Sequence, residues 1–191
     1  MARAKTDTIK VLSLDEVGRL FHELAPNKRN RAIFLVAYRH GLLASEVGLL
    51  RTDGLDFGNL RITIHRLKGR GSYYVDHPLQ PDVAKALKAY LRKREDESPI
   101  LFTSNRNEPI SRRTLDWLIK KYGALANLAP EKLHFQVLRH SIAMHLLDAG
   151  ADLRFVQDWL GHSSVQSTIV YLQSSNVDDS ARKIFLRMPR Y

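Results

Sequence analysis

The sequence predicts a mainly α-helical domain with one small antiparallel β-sheet, an α+β architecture. Through most of the 191 residues, apolar side chains recur at three- and four-residue intervals between residues that cap or stop helices. Strict alternation of apolar and polar side chains occurs near residues 60–67, and a glycine-rich turn follows it. The length suits one domain, so residues 1–191 are expected to form a single folding unit.

The first quarter of the chain predicts three helices. Ser13 and Glu16 have the spacing of a capping box, and an apolar helical stripe follows them. A second helix is expected from about residue 28 to 40, where Gly41 stops it. A short third helix is expected over residues 45–50, before an Asp-Gly turn.

Residues 60–79 predict a β-hairpin. Ile62 and Ile64 share one face of the first strand, and the polar residues that alternate with them share the other. Lys-Gly-Arg-Gly at 68–71 forms the turn, and residues 72–79 return as the second strand. The hairpin is therefore expected to carry basic residues at its tip.

The remainder of the chain predicts further helices, separated by Pro, Gly and Ser. Ser111 and Asp152 have the position and chemistry of N-caps, and a proline at 81 suits a first helical turn. The expected helices cover about 81–94, 111–128, 137–147 and 152–160, then a segment that begins at Ser163 or Ser164 and carries Tyr171, and a weaker pattern in 177–191.

The charge of the chain points to a polyanionic partner. Thirty Lys and Arg against 20 Asp and Glu give a formal net charge of +10, and the pI is near 10.0. Nucleic acid is the commonest partner of such a domain, because lysine and arginine neutralise phosphates. Several arginines come in close pairs, and the planar donor fork of guanidinium matches two phosphate oxygens.

Other classes of protein are excluded by what the sequence lacks. The chain holds no cysteine, which excludes disulfides, thiolate metal sites and a cysteine nucleophile. It has no apolar run near the ~18 residues of a membrane span and no secretory signal. A cytoplasmic location is therefore the default expectation, and no membrane partner is expected.

Three residues of the C-terminal third, Arg139, His162 and Tyr171, are candidates for chemistry. Each alone has an ordinary explanation: a surface cation, a residue at a helix stop and a core aromatic. Arg139 lies in the first turn of a helix, where a cation is unfavourable unless an anion binds there too. The spacing of the three together is much more specific than any one of them.

The run LRHSIAMHLLDAGADLRFVQDWLGHSSVQSTIVYL, residues 138–172, resembles the C-terminal signature of the tyrosine recombinases, the phage integrase family. HGLLASEVGLLRTDGLDF, residues 40–57, is similar to the family's first box, and the hairpin is similar to its lysine hairpin. The resemblance implies a tyrosine recombinase catalytic-domain fold over residues 1–191. It is closest to short fimbrial-switch DNA invertases, and we expect no room here for a separate N-terminal core-binding domain.

The resemblance also implies roles for single residues. Tyr171 would attack a DNA phosphodiester and form a 3′-phosphotyrosine link, which conserves the bond energy without a cofactor. Arg139 would clamp the non-bridging oxygens of the phosphate, and His162 would donate a hydrogen bond to it. Lys68, on the hairpin, would be the general acid for the departing 5′-oxygen. No metal ion is expected.

Two positions depart from the family's pattern. The arginine usual in the first box is replaced by Leu43, and the histidine usual in the second box is replaced by Gln136. Arg39, four residues before Leu43, is a possible substitute because its long side chain has the reach. Three hypotheses for the function remain open. The chain is an active or weakly active recombinase, a catalytically impaired DNA-binding paralogue that acts as regulator or accessory subunit, or an unrelated basic DNA-binding protein.

The expected partner is double-stranded DNA, and the expected process is site-specific integration, excision or inversion at the nucleoid. Arg66 and Arg70 near the hairpin tip, and Arg112 and Arg113 on a helix, are the expected phosphate contacts, although the helical pair also suits a solvated face. The absence of a second clamp domain predicts that a monomer binds DNA weakly, and without DNA the chain is expected to be monomeric or weakly associated. A homotetramer on two DNA sites is expected, with 177–191 packing on a neighbouring protomer or on its own domain.

Overall fold

The structure is a computed structural model. It describes the backbone of residues 9–68 and 71–174 and the side chains of 9–67 and 71–171. In these ranges it contains eight α-helices and a three-stranded antiparallel sheet, which confirms the predicted fold class. The helices are α1 Leu14–Leu24, α2 Lys28–Arg39, α3 Ala44–Val47, α4 Pro81–Leu91, α5 Arg112–Leu125, α6 Val137–Asp148, α7 Leu153–Leu160 and α8 Gln166–Ser174, and the strands are β1 Leu55–Asp56, β2 Arg61–Lys68 and β3 Gly71–Pro78.

Side-chain caps start several of these helices where the sequence predicts them. At α1 the Ser13 hydroxyl accepts a hydrogen bond from the Glu16 amide, and the Glu16 carboxylate accepts one from the Ser13 amide, at 3.1 and 2.7 Å. Ser111 caps α5 and Asp152 caps α7 in the same sense. These caps satisfy amides that the first turn of a helix leaves without a partner.

The sheet has the order β1-β2-β3, and the predicted hairpin forms its larger part. Ile62 pairs with His77, and Ile64 pairs with Val75. The inward face of β2 continues the predicted alternation, since Ile62, Ile64 and Arg66 are all buried. The hairpin thus carries one arginine toward the protein interior.

Helix α2 lies at the centre of the molecule and packs on α1, α4 and α6. Its residues from 32 to 38 are buried, and the Phe34 ring meets Phe135 edge-on at 5.5 Å between centroids. A helix that is apolar all round must be covered on every side, which explains its central place. The C-terminus of α2 therefore ends deep in the protein, beside the start of α6.

Some boundaries differ from the sequence prediction. Helix α4 ends at Leu91 rather than near residue 94, because Arg94 bonds to the Asp96 carboxylate and the Ser98 carbonyl and turns the chain. Helix α3 is shorter than predicted. Across the described part of the chain, none of the helices is long and apolar enough to cross a membrane.

Candidate active site

Arg139 lies against the C-terminal end of α2. It lies in the first turn of α6, and its side chain is buried, with Nη1 donating to the Gly41 carbonyl over 2.6 Å. Gly41 follows α2 and has a φ of 59°, so that its carbonyl faces the guanidinium. Burial lowers the pKa of Arg139 to about 10, and the group therefore remains a cation at neutral pH.

Glu46 is the buried anion that Arg139 approaches. The distance from Arg139 Nη1 to Glu46 Oε2 is 3.8 Å, and Arg66 Nη1 donates to the same oxygen over 2.9 Å. The backbone amides of Leu43 and Leu67 also donate to this carboxylate. One anion thus lies between two cations, and the group of three keeps a formal charge of +1.

Arg66 does not lie where a DNA phosphate can reach it, and its prediction as a DNA contact is wrong. Its side chain is 1% exposed, and Nη2 donates to the carbonyls of His40 and Trp159. These carbonyls lie at the C-terminal ends of α2 and α7, where a cation is favourable. Arg66 ties the hairpin to both helices instead.

His162 follows the left-handed turn that ends α7. Gly161 has a φ of 73°, and a Cβ there would lie 2.9 Å from the Tyr73 hydroxyl and 3.1 Å from Arg66 Cδ. Glycine is therefore favoured here by the left-handed backbone and by the close approach of two hairpin side chains. His162 Nδ1 hydrogen-bonds Thr168 Oγ1 at 2.8 Å, and burial next to Arg139 lowers the pKa of His162 to about 4.

Tyr171 lies on α8 and faces the start of α6. Its side chain is 2% exposed, and its hydroxyl lies 2.8 Å from His140 Nδ1. The Tyr171 ring is parallel to the His162 ring, with 6.3 Å between the centroids. Burial raises the pKa of the Tyr171 phenol, while the nearby Arg139 opposes that shift.

These side chains line one open cavity of about 350 Å³. The structure therefore brings together the predicted residues Arg139, His162 and Tyr171 and the altered positions Leu43 and Gln136. The full lining is Leu43, Leu67, Gln136, Arg139, His140, Gly161, His162, Ser163, Ser167, Val170 and Tyr171.

Arg39 is not brought to this cavity. Its Nε and Nη2 donate to the Asp82 carboxylate of α4 over 2.9 and 2.7 Å, and the side chain is 42% exposed. The structure therefore contradicts the prediction that Arg39 replaces the missing first-box arginine. Helix α2 turns this position away from the start of α6.

The remaining predicted residues lie elsewhere or outside the described part. Arg112 and Arg113 are exposed at the start of α5, and Arg112 lies 3.6 Å from Asp116. Arg112 also lines a second cavity of about 460 Å³, next to Leu43 and Gln136. The Lys68 side chain, Arg70 and the segment 177–191 lie outside the described residues.

Three residues of the site escaped the sequence analysis as functional candidates: Glu46, His140 and, in its actual role, Arg66. The burial of Arg66 could have been predicted, because side chains alternate along a strand and Arg66 therefore shares the inward face of β2 with Ile62 and Ile64. Glu46 lies in the motif of residues 40–57 and His140 in that of residues 138–172, but the spacing within these motifs does not identify their partners.

The sequence itself decides the family. Residues 10–177 match the family described as "Phage integrase family". The chain belongs to this family. Its C-terminal signature is therefore confirmed as a tyrosine recombinase motif, since the relatives described next carry that name.

Curated integrase-family relatives match most of the chain. The tyrosine recombinase XerA of Thermococcus onnurineus is 36% identical over 166 residues, which cover 85% of this chain and 57% of that protein. The type 1 fimbriae regulatory protein FimB of Escherichia coli K12 is 36% identical over 151 residues, covering 77% of this chain and 74% of FimB. The chain spans little more than half the length of its XerA relative.

Solved structures of integrase-family members share the fold. A crystal structure of XerA recombinase superposes with a TM-score of 0.78 at 28% identity and covers 100% of this chain and 68% of that one. XerH recombinase bound to a palindromic difH substrate superposes at 0.80 with 23% identity, covering 98% of this chain and 56% of XerH. The predicted recombinase catalytic-domain fold is thereby confirmed.

Proposed function

We propose that the chain cuts and rejoins DNA at specific sites, through a covalent phosphate link to Tyr171. The observation that carries this proposal is one cavity that joins a phenol to a buried guanidinium and two imidazoles. Among relatives, XerA is named a tyrosine recombinase, which supports the same chemistry here. The formal charge of +10 supports a nucleic-acid partner.

In the proposed reaction, a DNA phosphate enters the cavity and meets the Arg139 guanidinium. Arg139 neutralises the non-bridging oxygens as negative charge builds up in the transition state. His162 presents Nε2 to the same phosphate, since Thr168 engages Nδ1. Tyr171 Oη attacks phosphorus and the 5′-oxygen leaves, so the link keeps the energy needed for rejoining without a cofactor.

We propose Lys68 as the general acid for the departing 5′-oxygen. Its backbone pairs with Gly71 at the tip end of the hairpin, beside Leu67, which lines the cavity. A lysine ammonium has a proton to give to the departing alkoxide. Arg70 follows Lys68 closely in the sequence and is proposed as a phosphate contact.

Double-stranded DNA is the proposed partner. XerH is seen bound to its difH substrate, and a lambda integrase dimer is seen bound to a core site. Arg112 and Arg113 are exposed, Arg112 lines the second cavity, and both suit phosphate contacts. We further propose a homotetramer on two DNA sites, with 177–191 between protomers, acting in the cytoplasm at the nucleoid.

A second candidate function is DNA binding with impaired catalysis, as a regulator or accessory subunit. It is favoured by Leu43 and Gln136, which line the cavity where the family's usual pattern has arginine and histidine. Loss of one donor to a developing oxyanion costs about 10²–10³ in rate. The two candidates differ in whether the natural chain forms a covalent link to DNA.

A covalent capture experiment tests the proposal. The chain is incubated with a pool of nicked duplexes of randomised sequence, in which cleavage releases a short strand and traps the link. The proposal expects DNA that stays attached to protein on a denaturing gel, and no attachment with Tyr171→Phe. If the natural chain captures nothing while Leu43→Arg does, the second candidate is correct.

A further inference from the structure

We propose that His140 is the proton acceptor of Tyr171: its Nδ1 holds the phenol before attack and takes its proton as the bond to phosphorus forms. This step rests on the proposed function. It assigns a catalytic role to a residue beside Arg139 that the sequence analysis left without one. The cavity holds two imidazoles, and their geometry distinguishes them.

The hydrogen bond to Tyr171 is the first observation. His140 Nδ1 lies 2.8 Å from the Tyr171 hydroxyl, within the reach that a general base needs. His162 instead lies parallel to the Tyr171 ring, and its Nδ1 is engaged by Thr168. Of the two imidazoles in the cavity, His140 is the one in hydrogen-bond contact with the nucleophile.

The electrostatic surroundings keep His140 in the form that accepts a proton. Burial, His134 and Arg139 together lower the pKa of His140 to about 4, so the ring is neutral at pH 7. Among the side chains that the structure describes, the charged and titratable groups that face it are Arg139 on α6, His134 before α6, His162 after α7 and Tyr171 on α8. A bound phosphate adds negative charge here, which favours the imidazolium as it forms.

The proposed step balances. The Tyr171 O–H bond breaks and its proton moves to His140 Nδ1, while the Oη–P bond forms and the bond from phosphorus to the 5′-oxygen breaks. The leaving oxygen takes a proton from the general acid. In rejoining, the 5′-hydroxyl attacks phosphorus and gives its proton to the conjugate base of the general acid. The bond from phosphorus to Tyr171 Oη breaks, and the departing phenolate oxygen takes its proton back from the His140 imidazolium.

The same helix offers a matched control. His145 Nδ1 lies 2.7 Å from the Tyr38 hydroxyl, also on α6 and also partly buried. This second imidazole–phenol pair has no place in the lining of the cavity. Truncating His145 therefore removes a comparable bond and a comparable volume without touching the nucleophile.

The experiment measures the rate of covalent capture with the pool of nicked duplexes. His140→Ala is expected to lower the rate by about 10²–10⁴, the usual contribution of a general base, and His145→Ala to leave it within a few-fold. Added imidazole is expected to restore part of the rate of His140→Ala, because the truncation leaves room for it. Imidazole is expected to do nothing for His145→Ala.

The pH profile and the tautomer give two further measurements. Titration of His140 is expected to cause no change in the wild-type rate between pH 6 and 8. The residual rate of His140→Ala is expected to rise about tenfold per pH unit, because hydroxide then takes the Tyr171 proton. Nitrogen NMR of the whole chain is expected to show His140 Nδ1 without a proton, with a shift of this resonance in Tyr171→Phe.

Failure of this inference differs from failure of the proposed function. If the wild type captures DNA and His140→Ala captures it equally fast, the role of His140 alone is overturned. The same holds if imidazole fails to restore capture by a His140→Ala variant that circular dichroism shows to be folded. A proton on Nδ1 in the NMR spectrum also overturns it. A wild-type chain that captures no DNA overturns the proposed function and this step with it.

Discussion

Arg66 donates a hydrogen bond to Glu46 over 2.9 Å inside the protein, where each side chain is only 1% exposed. Position 43, three residues before Glu46, carries leucine in this chain, so the local cation usual in the family is absent. The hairpin supplies another cation, Arg66, which donates to the same Glu46 oxygen as the Leu43 amide. Because Arg66 compensates Glu46, the charge of Arg139 remains for an anion in the cavity.

The Glu46–Arg66 pair is expected to carry much of the stability at the site. Removing Arg66 leaves Glu46 with only the more distant Arg139 as a cation and takes the guanidinium donor from the His40 and Trp159 carbonyls, so Arg66→Met is expected to cost about 3–5 kcal/mol in the free energy of unfolding. Arg39→Met, which breaks an exposed pair with Asp82, is expected to cost about 1 kcal/mol or less. Urea unfolding of both variants measures this, and equal losses would contradict the role given to Arg66.

Leu43→Arg is expected to speed covalent capture by about 10²–10³, because it adds a phosphate donor to the cavity. Leu43→Met keeps the apolar character and a similar volume, and it is expected to leave the rate unchanged. Time courses with the nicked duplex pool measure both. A slower Leu43→Arg variant that is still folded would mean that the cavity does not receive the phosphate on this side.

Gly161 is expected to tolerate no side chain, for two separable reasons. Gly161→Ala meets a left-handed φ of 73° and contacts of 2.9–3.1 Å, whereas Gly150→Ala meets a φ of 94° with open space around it. Gly150→Ala is therefore expected to cost about 1–3 kcal/mol from the backbone alone, and Gly161→Ala more. Thermal unfolding compares them. Equal decreases in the unfolding temperature would show that the hairpin side chains move aside at little cost in free energy.

Stability is expected to fall in acid because His40 and His77 are buried as neutral rings. Burial lowers the pKa of His40 to about 3 and that of His77 to about 4, both from 6.5. The unfolded chain then binds more protons than the folded one, so the free energy of unfolding decreases as pH falls below about 6.5. Urea unfolding at pH 7.5 and pH 5 measures the loss.

His77→Phe is expected to reduce this pH dependence, since it removes one of the groups that must charge on unfolding. His65→Phe, on the neighbouring strand and only partly buried, serves as the control. An unchanged slope in His77→Phe would show that other groups produce the acid sensitivity.

Arg112 and Arg113 are expected to contact DNA phosphates. Their joint replacement by alanine is expected to weaken binding to a random duplex and to reduce the slope of log affinity against log salt by about 1–2. Arg61→Ala, exposed at the end of the hairpin away from its tip, is the control. Fluorescence anisotropy at several salt concentrations gives the slopes. Equal slopes in wild type and double variant would assign the pair to a solvated face.

Much of the secondary structure was predictable because its causes are local. The Ser13 capping box, the Ser111 and Asp152 caps and the stop at Gly161 each act within a few residues of themselves. Boundaries were less predictable where a distant bond intervenes, as when Arg94 bonds to Ser98 and ends α4 early.

The site was predictable in part. The spacing of Arg139, His162 and Tyr171 identified them as one group, and the structure brings them to one cavity. The substitute cation was misidentified, since nearness in sequence favoured Arg39, which instead pairs with Asp82. Proximity along a chain does not decide which face of a buried helix a side chain shares.

The sequence by itself determined the helices, the hairpin, the charge and the family. The helices and the hairpin depend on neighbouring residues, the charge on composition, and the family on a long ordered motif. Only the tertiary structure decided that Arg66 neutralises Glu46 and that His140 holds Tyr171. These contacts join residues 20 and 31 positions apart. They depend on how separate elements pack, and burial then fixes both the pairing and the protonation of the groups involved.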